Sequence, residues 1–515
     1  MSDLTGYPLV DVFAGPGGLG EGFSSLHDQE GAPVFRSAVS IEQDKFAHQT
    51  LVLRHFFKLF RAEDVPEEYY DYISGGISFE ELKVKYSKEF EIASSSVLKI
   101  FLGPENHSFV KSEINSRIGK TKKWALVGGP PCQAYSLVGR SRMTGNPEFE
   151  DDPRHFLYKE YLQIIIDHRP PVFVMENVKG LLSAKIDGNL VITKIVSDLS
   201  CPKAALGNKE NGLKYNLYSL SGEGEVKDDI DPRSFLVKAE EYGVPQARHR
   251  MFIVGVRNDL SIEPAQLQRK EAPTVRETIG SLPKIRSGIS KGVDNPQKWQ
   301  SEISDIGTDN FLRELAQFPN GFEIISKINN LVPKLIKSPK RRVATRYQNV
   351  LSSNHAAIKG IVDKRIKKIS SHESRGHMPS DLRRYFYSAI FSEVTGRTPK
   401  LSDFPKSLLP NHKNVELGRS GKMFSDRFRV QLPDKVSTTI TSHISKDGHY
   451  FIHFDPLQSR SLTVREAARL QTFPDNYHFE GPRTSQYHQV GNAVPPYLAK
   501  QIGKIVASVL DRIED

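Results

Sequence analysis

The stretch PLVDVFAGPGGLGEGF, Pro8 to Phe23, decides the fold. Its first half, Pro8 to Ala14, is apolar and β-prone, and it then breaks into Gly15-Pro16-Gly17-Gly18. That pattern predicts a buried strand running into a tight turn and a helix. Gly15, Gly17 and Gly20 satisfy G-x-G-x-x-G, and a second strand, Ser37 to Ile41, ends at Glu42. Such a turn lets a nucleotide-type ligand approach the backbone, with an acid for ribose hydroxyls. NAD, FAD and S-adenosylmethionine proteins all use turns of this kind, and a plain tight turn reads the same way.

Further strands follow. Lys123 to Val127 is stopped by Gly128-Gly129-Pro130-Pro131, Pro171 to Met175 runs into Glu176-Asn177, and Met251 to Val256 is the fifth. Amphipathic helical stretches, such as Lys159 to Asp167 and Leu190 to Leu199, lie between them. Strands alternating with helices predict a doubly wound, mostly parallel α/β sheet, whose ligands bind at the carboxyl ends of the strands. Residues 66–122 read as a polar, helical insertion between two strands, with no chemistry assigned. After Pro283 the chain turns basic, with runs KSPKRR (Lys337 to Arg342) and DKRIKK (Asp363 to Lys368). From Val436 strand-like and then helical character returns, ending in an apolar helix, Tyr497 to Ile513.

Composition narrows the class. With 515 residues the chain is too long for one ordinary core. No apolar run approaches the roughly 20 residues that cross a bilayer, and the N-terminus lacks a signal-peptide pattern. Two cysteines, Cys132 and Cys201, exclude a disulfide framework and a Cys-rich zinc site. A reducing cytoplasm is therefore expected. The net charge is +10. Lys284 to Lys435 alone carries about +15, so one basic module sits on a near-neutral body and fits a polyanionic partner.

Three more stretches carry candidate chemistry. In GGPPCQAYS, Gly128 to Ser136, two prolines lock the chain just before Cys132 at a strand end. The alternative, an inert buried cysteine, fits turn-forming flanks poorly. In MENVKG, Met175 to Gly180, Glu176 ends an apolar strand and is costly to bury without a partner. A helix cap or satisfied surface acid is the plainer reading. In VPQARHRMFIVG, Val244 to Gly255, Arg248 and Arg250 alternate before a strand and suit a phosphate or carboxylate, or a solvated strand end.

Together these stretches resemble the DNA cytosine-5 methyltransferases. The family's ordered motifs stand here as Gly15 to Gly20, Pro130-Pro131-Cys132-Gln133, Glu176-Asn177-Val178, Gln246-Ala247-Arg248-His249-Arg250 and Gln489-Val490-Gly491-Asn492. RSLTVREAARLQTFPD, Arg460 to Asp475, looks like the motif that closes the recognition domain. Tyr135 stands where the family usually has Phe, and the spacer before Pro130 is longer than usual. The resemblance implies a class I, Rossmann-like methyltransferase over residues 1–283, with the insertion at 66–122. A smaller basic target-recognition domain would span 284–484, and 485–515 would return to the catalytic domain.

The resemblance also implies roles. Cys132 would add to carbon 6 of a flipped-out cytosine, and Glu176 would hold the ring, with Arg248 and Arg250 beside them. Pro131, Gln133, Asn177 and Gln246 would shape the substrate loop. S-adenosylmethionine would lie on Phe13, Ala14, Gly15, Gly17 and Gly18, with Glu42 at the ribose, Asp64 at the adenine amine, and Asn492 and Val494 closing the pocket. No metal is implied. Double-stranded DNA is the expected partner, running between two lobes, with a cognate restriction or defence-system nuclease and a monomeric state also expected. A nicotinamide or flavin enzyme would not need Pro-Pro-Cys plus Glu-Asn at two strand ends. A transfer RNA methyltransferase usually has a smaller recognition module, and a decayed DNA-binding relative would not keep Cys132, Glu176 and Arg248.

Overall fold

The computed structural model describes residues 5–131, 154–186, 189–207, 212–221, 231–307, 309–344, 347, 353–410, 415 and 425–514. The chain forms two compact units. The first comprises Met1–Tyr69, Ile77–Glu271 and Ala493–Asp515, and the second Tyr70–Gly76 and Ala272–Asn492.

The first unit is built on an eight-stranded sheet. Its strands are β1 (Tyr7–Val12), β2 (Phe35–Ile41), β3 (Val97–Leu98), β4 (Ala125–Gly128), β5 (Val172–Val178), β6 (Tyr215–Tyr218), β7 (Leu236–Lys238) and β8 (His249–Arg257). The order is β3-β2-β1-β4-β5-β8-β6, with β7 also pairing β8. The first five strands are parallel, and β8 runs antiparallel to β5, β6 and β7. Strand order reverses at β1, where β2 lies on one side and β4 on the other. This is the switch point at which doubly wound sheets open a crevice at their carboxyl edge.

Alternation along the strands fixes both faces. Leu9, Val127, Val174 and Val254 enter one core, which the C-terminal helix Pro496–Asp511 covers with Leu498, Ile502 and Val506. Val10, Leu126, Phe173 and Ile253 enter the other, against Tyr161 and Ile165. Because both faces are buried, the central strands β4, β5 and β8 are largely apolar runs, which made them readable in the sequence. The class I methyltransferase fold is present as expected.

β8 departs from the all-parallel pattern in one respect that matters. Its reversal puts the start of the strand, and not its end, at the carboxyl edge of its parallel neighbours. In register, Arg250 faces Val178 and Phe252 faces Glu176. Arg248, just before this strand, and Arg250, at its start, therefore reach the same edge as Glu176 near the end of β5.

The second unit has little sheet. Helices Pro296–Ser304, Gly321–Leu331 and Pro379–Thr395 pack around Trp299, Ile328, Tyr385, Phe386 and Phe404. Buried ion pairs brace it: Arg460 grips Glu466 at 2.6 and 2.7 Å, and Arg469 grips Asp475 at 2.9 and 2.6 Å. Residues 70–76, read from sequence as part of the insertion, are built into this unit. The Tyr70 hydroxyl donates to Asp363 at 2.8 Å, Tyr72 donates to Glu480 at 2.6 Å, and Lys368 donates to the Ser74 carbonyl at 2.7 Å. The unit boundaries at 271/272 and 492/493 lie outside the 283/284 and 484/485 positions taken from sequence. Among the described residues, no helix is long and apolar enough to cross a membrane.

Candidate active site

The glycine turn begins where β1 ends. Phe13, Gly15 and Gly17 all take positive φ, at 56°, 57° and 87°. Glycine adopts that conformation freely, so Gly15 and Gly17 let the chain reverse in so few residues, whereas Phe13 is held there against its preference. The Ala14 N–H donates to the Ile41 carbonyl at 3.1 Å, and the Gly15 N–H donates to Glu42 Oε2 at 2.8 Å. Glu42 Oε1 accepts from the Asp44 N–H at 2.7 Å. Burial pushes the Glu42 carboxyl up, against the hydrogen bonds it accepts. Space at Gly15 is open, with no atom within 4 Å of where a Cβ would stand. A backbone corner facing open space, with a carboxylate on the neighbouring strand end, fits a nucleoside-bearing cofactor.

Gly18 serves another purpose. A Cβ there would lie 2.2 Å from the Val494 carbonyl oxygen. One at Gly22 would lie 2.4 Å from Ala499 Cβ. Both glycines let helix α1 (Gly18–Ser24) press against the C-terminal segment, with the Val494 backbone against Gly18. Asp64 lies exposed in a turn, its N–H donating to the Arg61 carbonyl at 3.0 Å. Asn492 is exposed at the end of the helix Arg483–Asn492 and belongs to the second unit.

Next to this crevice, β4 and β5 end side by side. Gly128 sits tightly under Val12, and a Cβ on Gly129 would lie 2.9 Å from Glu176 Oε2. Asn177 is buried, and its amide donates to the Pro130 carbonyl at 2.9 Å. This contact fixes the Pro130-Pro131 segment against the end of β5. Cys132 and Gln133 follow directly in the chain and, with Tyr135, lie outside the described residues.

Glu176 meets Arg250, whose Nε is 3.0 Å from Oε1. The Arg250 guanidinium also donates to the His249 carbonyl at 2.9 Å. Burial raises the Glu176 carboxyl above its ordinary range, opposed by the charges of Arg250 and Arg248. Arg248 is buried, and burial together with Arg250 pushes it down. Gln246 is fully buried, and its carbonyl accepts from the Arg248 N–H at 2.8 Å. Glu176, Arg248, Arg250, Asn177 and Pro131 are thus brought to one edge of one unit. The paired acid that sequence could only flag as costly has its partner.

Sequence reading passed over Asp11, a buried acid in the middle of β1. The signal was available: it is the one charged residue in an otherwise apolar strand. The basic runs are also more committed than their composition suggests. Arg342 is held by Asp294 at 3.0 Å and by the Ser374 carbonyl at 3.0 Å, and Arg365 lies over the Tyr70 ring. Lys337, Lys340, Arg341, Lys364 and Lys367 remain exposed.

Residues 105–508 match the family model for the C-5 cytosine-specific DNA methylases. The chain is 31% identical to the type II methyltransferase M.Bpa9945I of Bacillus paralicheniformis, over 98% of this chain and 99% of that one. It is 24% identical to the type II methyltransferase M.DdeI of Desulfomicrobium norvegicum, over 98% and 89% of the two chains. A crystal structure of a prophage-encoded DNA modification methyltransferase from E. coli shares the fold, with a TM-score of 0.51 at 18% identity over 98% of this chain and 99% of that one. The chain belongs to the C-5 cytosine-specific DNA methylases and is a DNA cytosine-5 methyltransferase.

Proposed function

We propose that this enzyme takes its methyl group from S-adenosylmethionine and places it on carbon 5 of a flipped-out cytosine in duplex DNA, through a covalent bond from Cys132 to carbon 6. The observation that carries this reading is the Glu176–Arg250 pair at the end of β5, beside the Pro130-Pro131 segment that precedes Cys132 in the chain. Gly15, Gly17 and Glu42 support a cofactor site in the adjacent crevice. When bound, S-adenosylmethionine would supply an electrophilic methyl group, its sulfur keeping the bond's electron pair and leaving as a neutral thioether.

Each protein group then has a task. The Cys132 thiolate adds to carbon 6, and the electron pair of the 5,6 double bond moves to carbon 5, which takes the methyl. Glu176, its carboxyl raised by burial, donates a proton or strong hydrogen bond to ring N3 and offsets the charge that addition creates. Arg250 holds that carboxyl in one orientation. Water takes the carbon 5 proton, the C–H electron pair restores the 5,6 double bond and expels the Cys132 thiolate, and N3 returns any proton it took to Glu176. Exposed lysines of the second unit, among them Lys340 and Lys364, would contact phosphates. By the likeness to type II methyltransferases, the enzyme acts as a monomer beside a cognate nuclease.

The reading is tested by methyl transfer from labelled S-adenosylmethionine to unmethylated duplex DNA, followed by bisulfite sequencing. Protected cytosines in one sequence context are expected with the wild type and absent with C132A. A folded wild type that transfers nothing to DNA overturns it.

A further inference from the structure

Helix α1 begins at a residue that cannot cap it. Its N-cap is Gly17, which has no side chain to accept the first free N–H groups. Helices usually meet this need with Ser, Thr, Asp or Asn at that position. Glu21, the acid in the first turn, is occupied elsewhere: Arg54 grips it at 2.7 and 2.6 Å, and Lys58 stands at 3.3 Å. The acceptor comes instead from the preceding strand. Asp11 Oδ2 accepts the N–H of Gly20, the third residue of the helix, at 3.2 Å.

We propose that Asp11 acts as a remote cap of the helix after the glycine turn, and that it positions this turn for the methyl donor. A cap supplied across the turn ties β1 to α1, so the loop between them, Phe13 to Gly17, is pinned at both ends. An Asp or Ser at residue 17 would cap the same helix but would carry a Cβ at φ 87°. Placing the cap on the strand lets residue 17 stay glycine at that φ.

Asp11 does this as a neutral acid. It is buried, its Oδ1 has no hydrogen-bond partner among the described residues, and burial pushes its carboxyl up to about 8. Glu42 adds to the rise, and the Gly20 N–H opposes it. Tyr161, the other titratable group near Asp11, donates its hydroxyl to the Val174 carbonyl at 3.2 Å. With its proton on Oδ1, the carboxyl still offers Oδ2 to Gly20. Asparagine has the same acceptor in the same shape, so it retains the cap, whereas alanine removes it.

This inference rests on the S-adenosylmethionine reading and is tested by calorimetric titration of S-adenosylmethionine into the full-length protein, with melting temperature recorded for each variant. D11N binds within about twofold of wild type, and D11A binds roughly tenfold more weakly while its turnover at saturating donor is retained. G20A, which places a Cβ 3.1 Å from Asp11 Oδ2, weakens binding a fewfold from the other side of the contact. Should D11A fail to fold, D11N and G20A decide between them. Donor affinity unchanged in D11A or in G20A overturns the proposal, as does D11N binding as weakly as D11A. A folded wild type that binds no donor overturns the cofactor reading instead.

Discussion

Arg250 Nε lies 3.0 Å from Glu176 Oε1, across a strand pair whose antiparallel sense brings the beginning of β8 to the end of β5. The two residues are 74 positions apart in sequence and diagonal neighbours on the sheet, within reach of a long side chain. Removing the guanidinium takes away a charge that holds the Glu176 carboxyl down. In R250A that carboxyl rises further, so the limb of the kcat/KM profile that reports it moves to higher pH. Turnover falls by roughly 10- to 100-fold because the carboxyl loses its orientation. E176Q loses about 100-fold or more and abolishes the limb. An R250A profile superimposable on that of wild type would count against the pairing having any role in turnover.

The glycines of the first turn divide by function, and alanine scanning separates them. At Gly18 a Cβ meets backbone at 2.2 Å, which cannot yield. G18A is expected to destabilise the first unit by about 2 kcal/mol, seen as a lowered melting temperature. At Gly15 space is open but φ is positive, so G15A costs only about 1 kcal/mol in stability. Its main effect is on donor affinity, measured by calorimetry. Equal melting temperatures for G18A and wild type would contradict the close packing of α1 on Val494.

Arg460 and Glu466 form a fully buried pair joined by two hydrogen bonds. Deleting one partner leaves the other charged and without water. R460A is expected to destabilise the second unit by about 3–5 kcal/mol, and E466A by a similar amount. Chemical denaturation followed by near-ultraviolet dichroism reads the loss, and a change below about 1 kcal/mol would show the pair to be dispensable.

Acid should loosen the second unit through its buried histidines. Burial depresses His372, to about 4, as well as His377, His449 and His453. Each is held neutral in the folded state, below an unfolded value near 6.5. The unfolded chain therefore binds protons first as pH falls. Stability is full above about 6.5 and is lost as pH drops toward about 4, by an amount on the order of 3 kcal/mol for His372 alone. Melting temperatures between pH 7.5 and 4.5 check this, and H372Q should flatten the fall.

Much of this architecture was legible in the sequence because the central strands are buried on both faces and so read as largely apolar runs. The glycine turn, the Pro130-Pro131 stop and the Glu176-Asn177 strand end each announced themselves by residues ill suited to a core. What local pattern does not encode is direction and partnership. Nothing in Met251 to Val256 reveals that this strand runs antiparallel, so the approach of Arg250 to Glu176 emerged only with the fold. Gly18 carries the same sequence signal as Gly15, yet one faces the Val494 backbone and the other open space. The run Asp363 to Lys368 reads as a basic surface, yet Asp363, Arg365 and Lys368 bind residues 70–76, which lie almost 300 positions earlier. Such pairings depend on long-range topology, which composition and spacing do not carry.

In the proposed mechanism Cys132 bonds to cytosine while Glu176 holds the ring. Its most direct test is the mass of the protein after incubation with S-adenosylmethionine and duplex DNA carrying 5-fluorocytosine at the target position. Fluorine cannot leave carbon 5 as a proton does, so the adduct persists after methyl transfer. A stable protein–DNA species whose crosslinked peptide contains Cys132 is expected, formed by wild type, slowed in E176Q and absent in C132A. An adduct that persists in C132A, or methylated DNA formed with no adduct at any residue, would contradict it.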